Sequence, residues 1–253
     1  YVKGNKNDAN DAEAICEAVS RPSMRFVPVK TVEQQDIQAL HRIRQGLVRQ
    51  RTALVNQIRG LLSEYGIVIS LRVESLRNAI PYILEDAENR LTADFRLLLK
   101  GLQEDLTHLD KRIGSQDQAI KRVALEHEGA KRLQQLRGIG PITATALIAA
   151  IGDGRQFARG RDAAAWCGLV PGQHSSGGKA RLLGISKRGD TYLRTLLIHG
   201  ARAVIKTALN KNDHLSKWLQ SLCSRRNQNI AAVALANKTM RMAWALLVRG
   251  KRP

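Results

Sequence analysis

Apolar residues recur every seven positions in two separate stretches of the chain. In the first stretch the recurring residues are Leu40, Leu47, Leu54 and Leu61, with Ile37 and Ile58 three residues before two of them. In the second stretch one series runs through Leu99, Leu106, Ile113 and Ile120, and a neighbouring series runs through Phe95, Leu102, Leu109, Gln116 and Val123. This spacing predicts two long helices with heptad seams, although Arg44 and Arg51 are polar at matching positions of the first.

These two helices can pair in three ways. They form an antiparallel helical hairpin, they contribute two strands to a larger coiled coil, or their leucines line an ordinary helical bundle core. Between them, residues 63–89 interrupt the heptads with Gly66 and Pro81.

The rest of the chain also favours helices. Residues 7–19 predict a helix with Asp8 and Asp11 three apart on one face. From Gly129 onward, glycine-rich turns separate helical stretches, and no long alternating strand pattern is present. The expected fold class is therefore mainly α.

The positive charge is concentrated in the second half of the chain. The sequence carries 41 Lys and Arg against 22 Asp and Glu, a formal net charge of +19. Residues 131–253 hold 22 of the basic residues and only four acids, whereas residues 1–130 are close to neutral. This asymmetry favours binding to a polyanion, most often nucleic acid, over a merely soluble basic surface.

The cysteines and the hydropathy bear on the compartment. Cys16, Cys167 and Cys223 are odd in number and lack CxxC spacing, which argues against a disulfide scaffold or a zinc site and is typical of a reducing cytoplasm. There is no run of eighteen apolar residues, so no membrane span is expected.

Residues 133–147 resemble a helix-hairpin-helix motif. Gly138 and Gly140 allow a tight turn, Ile139 is an apolar peg between the helices, and Pro141 starts the second helix. The free N–H groups at that helix N-terminus can hold a DNA phosphate without reading sequence. The candidate nucleic-acid-binding residues here are Gly138, Gly140 and Thr143. A hairpin used only for packing is the alternative.

Residues 173–190 form the most unusual stretch. Ser175 and Ser176 precede Gly177 and Gly178. The basic residues around them, candidates for nucleic-acid binding, are Lys179, Arg181, Lys187 and Arg188. A serine in a glycine loop could attack a phosphodiester while the cations stabilise the developing charge. In the alternative interpretation, the loop only contacts DNA and its serines hydrogen-bond to phosphates.

The carboxylates restrict metal chemistry. Two-metal phosphoryl transfer needs several converging acids, and the four Asp of the basic half are scattered. Asp8 and Asp11 could supply half of a site, but two Asp in a first helical turn also serve as caps and dipole partners. His174 beside the serines is a possible general base, although a loop histidine more often binds phosphate or solvent.

Four motifs together resemble a known family. They read KNDANDAEAI, LRGIGPITATALIAAIGD, WCGLVPGQHSSGGKARLLGISKRGDTYLRTLLIHGARAV and NKTMRMAWALL. This ordered series resembles the DEDD-type insertion-sequence transposases of the IS110 family, in particular its IS1111 branch, which are relatives of the Piv pilin-gene invertase. The resemblance covers essentially the whole chain.

The resemblance implies three domains. Residues 1–30 are expected to be the C-terminal remnant of a RuvC-like (RNase H-like) domain, residues 31–128 an antiparallel coiled-coil arm, and residues 129–253 a transposase domain with the helix-hairpin-helix and the catalytic serine. The family's RuvC-like domain has a set of four acids, in the order Asp, Glu, Asp and Asp. The first Asp and the Glu of this set have no match in the sequence. They are expected before Tyr1, so that the chain is expected to be N-terminally truncated.

The resemblance also implies residue roles. Asp8 and Asp11 correspond to the last two acids, which would hold Mg²⁺. Ser176, directly before Gly177, corresponds to the catalytic serine, with Ser175 as the second choice.

The implied function is RNA-guided DNA recombination through a 5′-phosphoserine intermediate. A structured bridge RNA would pair with donor and target DNA, and acids and serines from different subunits would meet within a dimer or tetramer. This chain alone is then expected to be inactive, and the expected location is the bacterial cytoplasm, at the nucleoid. The alternative is a non-catalytic helix-hairpin-helix DNA-binding protein that oligomerises through its coiled coil.

Overall fold

The computed structural model describes residues 7–22, 24, 26–177, 179 and 181–250. The chain divides into two compact units, residues 1–30 and residues 31–253. The first unit contains helix α1 (Asp8–Ser20). Asn7 caps it, since its Oδ1 accepts the Ala9 N–H at 3.0 Å, and none of its residues is buried. Gly178, part of the predicted glycine loop, lies outside the described residues.

The second unit begins with an arm of three helices, α2 (Val32–Glu64), α3 (Val73–Glu85) and α4 (Ala93–Glu126). A capping box starts α2, because Thr31 Oγ1 accepts the Gln34 N–H while the Gln34 side chain accepts the Thr31 N–H. This cap fixes the point at which the long helix leaves the extended segment before it.

Helices α2 and α4 pack antiparallel within one chain. Arg44 of α2 is paired with Asp117 of α4, and Arg51, seven residues later, is paired with Asp110, seven residues earlier. The polar residues noticed in the first heptad stretch are therefore ion pairs in the seam. The helical hairpin, the first of the three alternatives, is the arrangement that the chain adopts.

The predicted seam is confirmed in α4 and has a different register in α2. Leu99, Leu106, Ile113 and Ile120 are all buried. In α2 the buried residues are instead Ile37, His41, Leu47, Val55, Ile58 and Leu62. Of the predicted leucines, only Leu47 is buried, and Leu61 is exposed. Ile37 and Ile58 stay in the seam, while Val55 and Leu62 take the places predicted for Leu54 and Leu61.

The tip of the arm has its own hydrophobic core. Pro81 lies inside α3, so residues 63–89 hold a helix and not only a break. Arg77 of α3 donates to both Asp110 oxygens, at 2.6 and 2.7 Å. The buried residues of this cluster are Val55, Ile58, Leu62, Leu76, Ile80, Leu91, Phe95, Leu99 and Leu106.

The remaining elements form a helical body. They are α5 (Glu128–Leu133), α6 (Pro141–Ile151), α7 (Gly160–Trp166), β1 (Pro171–Gln173), β2 (Leu182–Ile185), α8 (Thr191–Ala208), α9 (His214–Arg225) and α10 (Gln228–Arg249). The mainly α prediction is confirmed. Helix α6 is buried along most of its length and contacts α2, α4, α5 and α8, so the base of the arm shares one core with the body. Among the described residues, no helix has the length and apolar character needed to cross a membrane.

Candidate functional site

The serine stretch folds as a short antiparallel hairpin. Pro171 of β1 lies opposite Ile185 of β2, and the His174 N–H continues the ladder by donating to the Arg181 carbonyl at 3.0 Å. At the tip, the Lys179 N–H donates to the Ser176 carbonyl at 3.1 Å. In the described part of the chain neither strand contacts a helix, so the hairpin is held only at its base.

The two serines have different surroundings. Ser175 Oγ accepts the Arg181 backbone N–H at 3.2 Å and the Gln173 side-chain amide at 2.9 Å, so it closes the hairpin. The Ser176 hydroxyl is exposed and has no hydrogen-bond partner among the described residues. Gly177, directly after it, has φ +56°, a left-handed conformation that favours glycine. The two serines therefore differ in that the Ser175 oxygen accepts two hydrogen bonds, whereas the Ser176 oxygen accepts none from the described residues.

Cations surround this tip without acidic partners. Lys179 and Arg181 are exposed, and residues 173–189 contain no Asp or Glu. Within the described residues, neither side chain makes an ion pair. The hairpin tip thus places positive charge next to a hydroxyl that has no partner in the described part of the chain.

The base of the hairpin is clamped to the end of α7 by two glycines. Gly168 and Gly189 have φ values of +69° and +98°. A Cβ on Gly189 would collide with the Trp166 carbonyl, and a Cβ on Gly168 would collide with the Arg188 carbonyl. Lys187, also at positive φ (55°), donates its N–H to the Gly168 carbonyl at 3.2 Å. The backbone of Lys187 and Arg188 is therefore fixed against the body.

The groups next to this clamp serve the fold. Asp190 caps α8 by accepting the Leu193 N–H at 3.0 Å. Arg194 donates to the Cys167 carbonyl at 3.3 Å. Burial, with a further contribution from Asp190, raises the pKa of the Cys167 thiol to about 12. This thiol stays protonated at neutral pH and is not a nucleophile.

The turn between α5 and α6 packs closely on α8. Gly138 has φ +89°, and a Cβ on Gly200 of α8 would collide with the Gly138 carbonyl. Ile139 is buried beneath the turn. The two glycines allow the turn and the helix to come into backbone contact.

The N-terminus of α6 is open to solvent. Pro141 is its first residue, no side chain caps it, and a Cβ on the exposed Gly140 would meet no atom within 4 Å. The first helical bond there runs from the Ala144 N–H to the Gly140 carbonyl, at 2.9 Å. Thr143, in the first turn of α6, is only 6% exposed, so little of this residue is accessible to a ligand.

Arg137, just before this turn, binds Asp213. Its Nη1 lies 3.0 Å from both Asp213 carboxylate oxygens. Asp213 in turn caps α9 and accepts the Ser216 hydroxyl at 2.6 Å. Hydrogen bonds from Ser216, aided by Arg137, lower the pKa of the Asp213 carboxyl to about 2. One of the four acids of the basic half is thereby committed to structure.

A buried polar chain joins the arm to the body. His41 Nε2 lies 2.9 Å from Thr145 Oγ1, and Nδ1 lies 3.0 Å from the Tyr192 hydroxyl. Thr145 already donates to the Pro141 carbonyl at 2.8 Å, so it accepts from His41 Nε2–H, and Tyr192 donates to Nδ1. Burial, reinforced by Arg44, lowers the pKa of His41 to about 4. A neutral imidazole thus connects α2, α6 and α8.

Comparison with known proteins identifies the family. A family model described as "Transposase IS116/IS110/IS902 family" matches residues 130–216, and a DEDD-type transposase model of IS110 elements matches residues 1–67. A probable family 20 transposase of Pseudomonas aeruginosa is 53% identical over 250 residues, which cover 98% of this chain and 74% of the relative. The chain belongs to the IS116/IS110/IS902 family of transposases.

Two further members of the family are similar along nearly the whole chain. The transposase for insertion sequence element IS1111A of Coxiella burnetii is 51% identical over 249 residues, 98% of this chain and 68% of the relative. The transposase for insertion sequence element IS1328 of Yersinia enterocolitica is 40% identical over 252 residues, 99% of this chain and 74% of the relative. The resemblance drawn from the four motifs is confirmed.

The acidic candidates of this transposase lie in α1. Asp8 and Asp11 are exposed in its first turns, three residues apart on one side. No group of three His, Cys, Asp or Glu side chains among the described residues could hold a metal ion. Two carboxylates are fewer than a two-metal site requires, so the described residues do not complete such a site.

The sequence therefore located the tip and the turn, but not the contacts that support them. Ser176, Lys179 and Arg181 share one hairpin, whereas Gly138 and Gly140 lie in the turn before α6 and Thr143 lies in the first turn of α6 itself. The roles of Arg137 and His41 had no sequence signal, because each depends on a partner more than 70 residues away.

Proposed function

We propose that this chain is a DNA recombinase of an insertion sequence, which cuts and rejoins strands through Ser176. The Ser176 oxygen attacks a DNA phosphorus, an Oγ–P bond forms and the P–O3′ bond breaks. The serine proton ends on the departing 3′ oxygen, and the product is a 5′-phosphoserine. Attack by an incoming 3′-hydroxyl reverses these bond changes and releases the serine.

One observation carries this proposal: of two adjacent serines, Ser176 alone has a hydroxyl without a hydrogen-bond partner among the described residues, at an exposed tip without acids. Lys179 and Arg181 would stabilise the extra negative charge that develops on the phosphorus oxygens. The Ser175 hydroxyl, which already accepts two hydrogen bonds, would keep the hairpin closed.

The basic half would hold the DNA. The open N-terminus of α6, reached through Gly138 and Gly140, would bind a phosphate as a helix-hairpin-helix does, with the Thr143 N–H as one donor. Lys187 and Arg188 would contact the backbone closer to the hairpin. In this assignment residues 129–253 act as the transposase domain, which would work at the bacterial nucleoid.

Residues 1–30 would belong to a RuvC-like domain. Asp8 and Asp11 are the carboxylates of this chain that would contact Mg²⁺ there. Because they are insufficient by themselves, the complete acidic site would need further carboxylates, and serine and acids from different subunits would combine.

The arm, residues 31–128, would join subunits into a dimer or tetramer. Leu40, Leu54 and Leu61 lie on α2 beside the intrachain seam, in which Leu47 is buried, and Ile43 on the same side is 49% exposed. Their heptad spacing suits a helix of a second copy. Loss of the larger species on sedimentation of a Leu54→Lys, Leu61→Lys variant would support this assembly, and an unchanged species would contradict it.

The partner that selects the DNA would be a structured guide RNA that pairs with donor and target. The guide RNA would bind to the same lysines and arginines that contact DNA phosphates, since contacts to phosphates carry no base specificity.

The test is a strand-cleavage assay with the whole transposase, its donor DNA and its guide RNA. Ser176→Ala should abolish the covalent protein–DNA adduct, whereas Ser175→Ala should retain it at reduced yield because only the hairpin is weakened. A Ser176→Ala protein that recombines DNA at the normal rate would refute the assignment.

The open α6 N-terminus also favours a second function, a non-catalytic DNA-binding protein. This function predicts salt-sensitive DNA binding without a phosphoserine adduct in the same assay. Detection of the adduct decides between the two.

A further inference from the structure

One face of α2 carries only uncharged polar and basic residues. Its members, at intervals of four and three residues, are Gln38, Arg42, Gln45, Arg49, Thr52 and Asn56. This spacing places them along one side of a helix, over a length of about 27 Å at 1.5 Å per residue. We call this the polar face of α2. It contains no acid and no aliphatic side chain.

The arginines of α2 divide into two groups. Arg44 and Arg51 pair with aspartates of α4, and Arg59 donates to the Ser70 and Arg72 carbonyls. Arg42 and Arg49 are exposed and have no hydrogen-bond or ion-pair partner among the described residues. These two are the arginines of the polar face. They have no evident role in the fold.

The amides of this face are also unused. Gln38 and Gln45 are half-buried, yet neither hydrogen-bonds to a described residue. By contrast, Gln34 on the same helix donates to the Ile148 carbonyl at 3.1 Å. A half-buried amide without a partner is available to a ligand.

The polar face begins at a cavity next to the basic loop. The cavity has a volume of about 230 Å³. Its polar lining residues are Gln38, His41, Arg42, Gln45, Asp190 and Tyr192. Asp190 caps α8 and directly follows the clamped segment with Lys187 and Arg188. The polar face therefore begins beside the start of α8, close in sequence to Lys187 and Arg188.

We propose that the polar face of α2 binds the sugar–phosphate backbone of a nucleic acid strand. Arg42 and Arg49 contact phosphates, and Gln38 and Gln45 donate to phosphate or sugar oxygens. A merely solvated helix face would mix acids with bases, whereas this one combines arginines with amides. The strand runs from the Lys187–Arg188 segment along the arm. This inference rests on the proposed function, whose DNA and RNA are the two sources of such a backbone.

The test compares two variants of equal charge. Arg42→Gln with Arg49→Gln changes the polar face. Arg112→Gln with Arg122→Gln removes two exposed arginines of α4 that likewise have no partner among the described residues. Binding of the full chain to labelled single-stranded RNA, single-stranded DNA and duplex DNA is measured by fluorescence anisotropy at several salt concentrations.

The polar-face variant should lose about tenfold in affinity for at least one probe, and its log–log salt slope should fall by about 1.5 to 2. The α4 variant should change affinity less than twofold. The probe that is affected identifies the source of the backbone. Equal losses in both variants, or an unchanged salt slope, would overturn the inference.

A second pair of variants adds charge instead of removing it. Gln45→Glu should weaken binding, while Gln50→Glu, on another side of α2, should not. Thermal melting of each protein checks that folding is unchanged. If adduct formation persists while the polar-face variants bind normally, this inference fails and the proposed function stands. If the polar-face variants bind more weakly but no adduct forms even with the native protein, this inference stands and the proposed function fails.

Discussion

Acidification should destabilise the protein through His41. The neutral imidazole accepts from Tyr192 and donates to Thr145, and its surroundings contain the charged Arg44. Protonation would leave a buried cation beside a guanidinium and would remove the acceptor for the Tyr192 hydroxyl. The folded state therefore resists protonation of this ring.

The pKa of His41 gives the size of the effect. It falls from 6.5 to about 4 on folding. Each pKa unit corresponds to about 1.4 kcal/mol, so the full effect is about 3 kcal/mol. Because the folded pKa is lowered, the unfolded chain binds the proton first. The contribution of His41 to stability is fully present above pH 6.5, decreases as the pH falls, and is lost below about pH 4.

The assay is urea unfolding, followed by circular dichroism, of the native protein and His41→Gln between pH 7.5 and pH 4. The variant has no titrating group at this position, so the other histidines and the carboxylates contribute equally to both proteins. Between pH 7.5 and pH 4, the native protein should lose about 3 kcal/mol of unfolding free energy relative to His41→Gln. A difference that is constant with pH would refute the assignment of a buried neutral His41.

Other substitutions test the packing. Gly200→Ala should lower the free energy of unfolding by about 2–3 kcal/mol, because its Cβ collides with the Gly138 carbonyl. Gly60→Ala, at a position in α2 where a Cβ meets no other atom, should raise it by about 0.5–1 kcal/mol. Equal effects of the two variants in thermal melts would contradict the backbone contact. Asp110→Asn should cost about 1–2 kcal/mol in denaturant unfolding, since the Arg77 guanidinium loses its charged partner. No change there would mean that α3 is held by its apolar contacts alone.

The sequence predicted the helices well because their patterns are local. The α4 seam required only the spacing of apolar residues such as Leu99 and Leu106. The α2 seam was harder, since Arg44 and Arg51 occupy seam positions only by virtue of aspartates on another helix. Such pairings depend on the fold and leave no periodic signal along the chain.

The candidate site shows the same limit. The Ser-Ser-Gly sequence indicated a chemically unusual loop, yet it left two serines as alternatives. Only the hydrogen bonds of Ser175 to Gln173 and Arg181 separate their environments. The short hairpin around them was not predicted either, because strands of three and four residues carry too few alternating positions.

The ion pairs Arg44–Asp117 and Arg51–Asp110 also fix the length of the arm, because they fix how far α4 can slide along α2. Sliding α4 by one heptad would keep Arg51 opposite an aspartate but would place Arg44 against the buried Ala124 and Asp110 against the buried Ile58. Leaving such partly buried charges without partners costs about 1–3 kcal/mol each. The ion pairs thus fix α2 and α4 in one register. Its 33-residue α2, about 50 Å long, sets a constant separation between the body and whatever engages the tip.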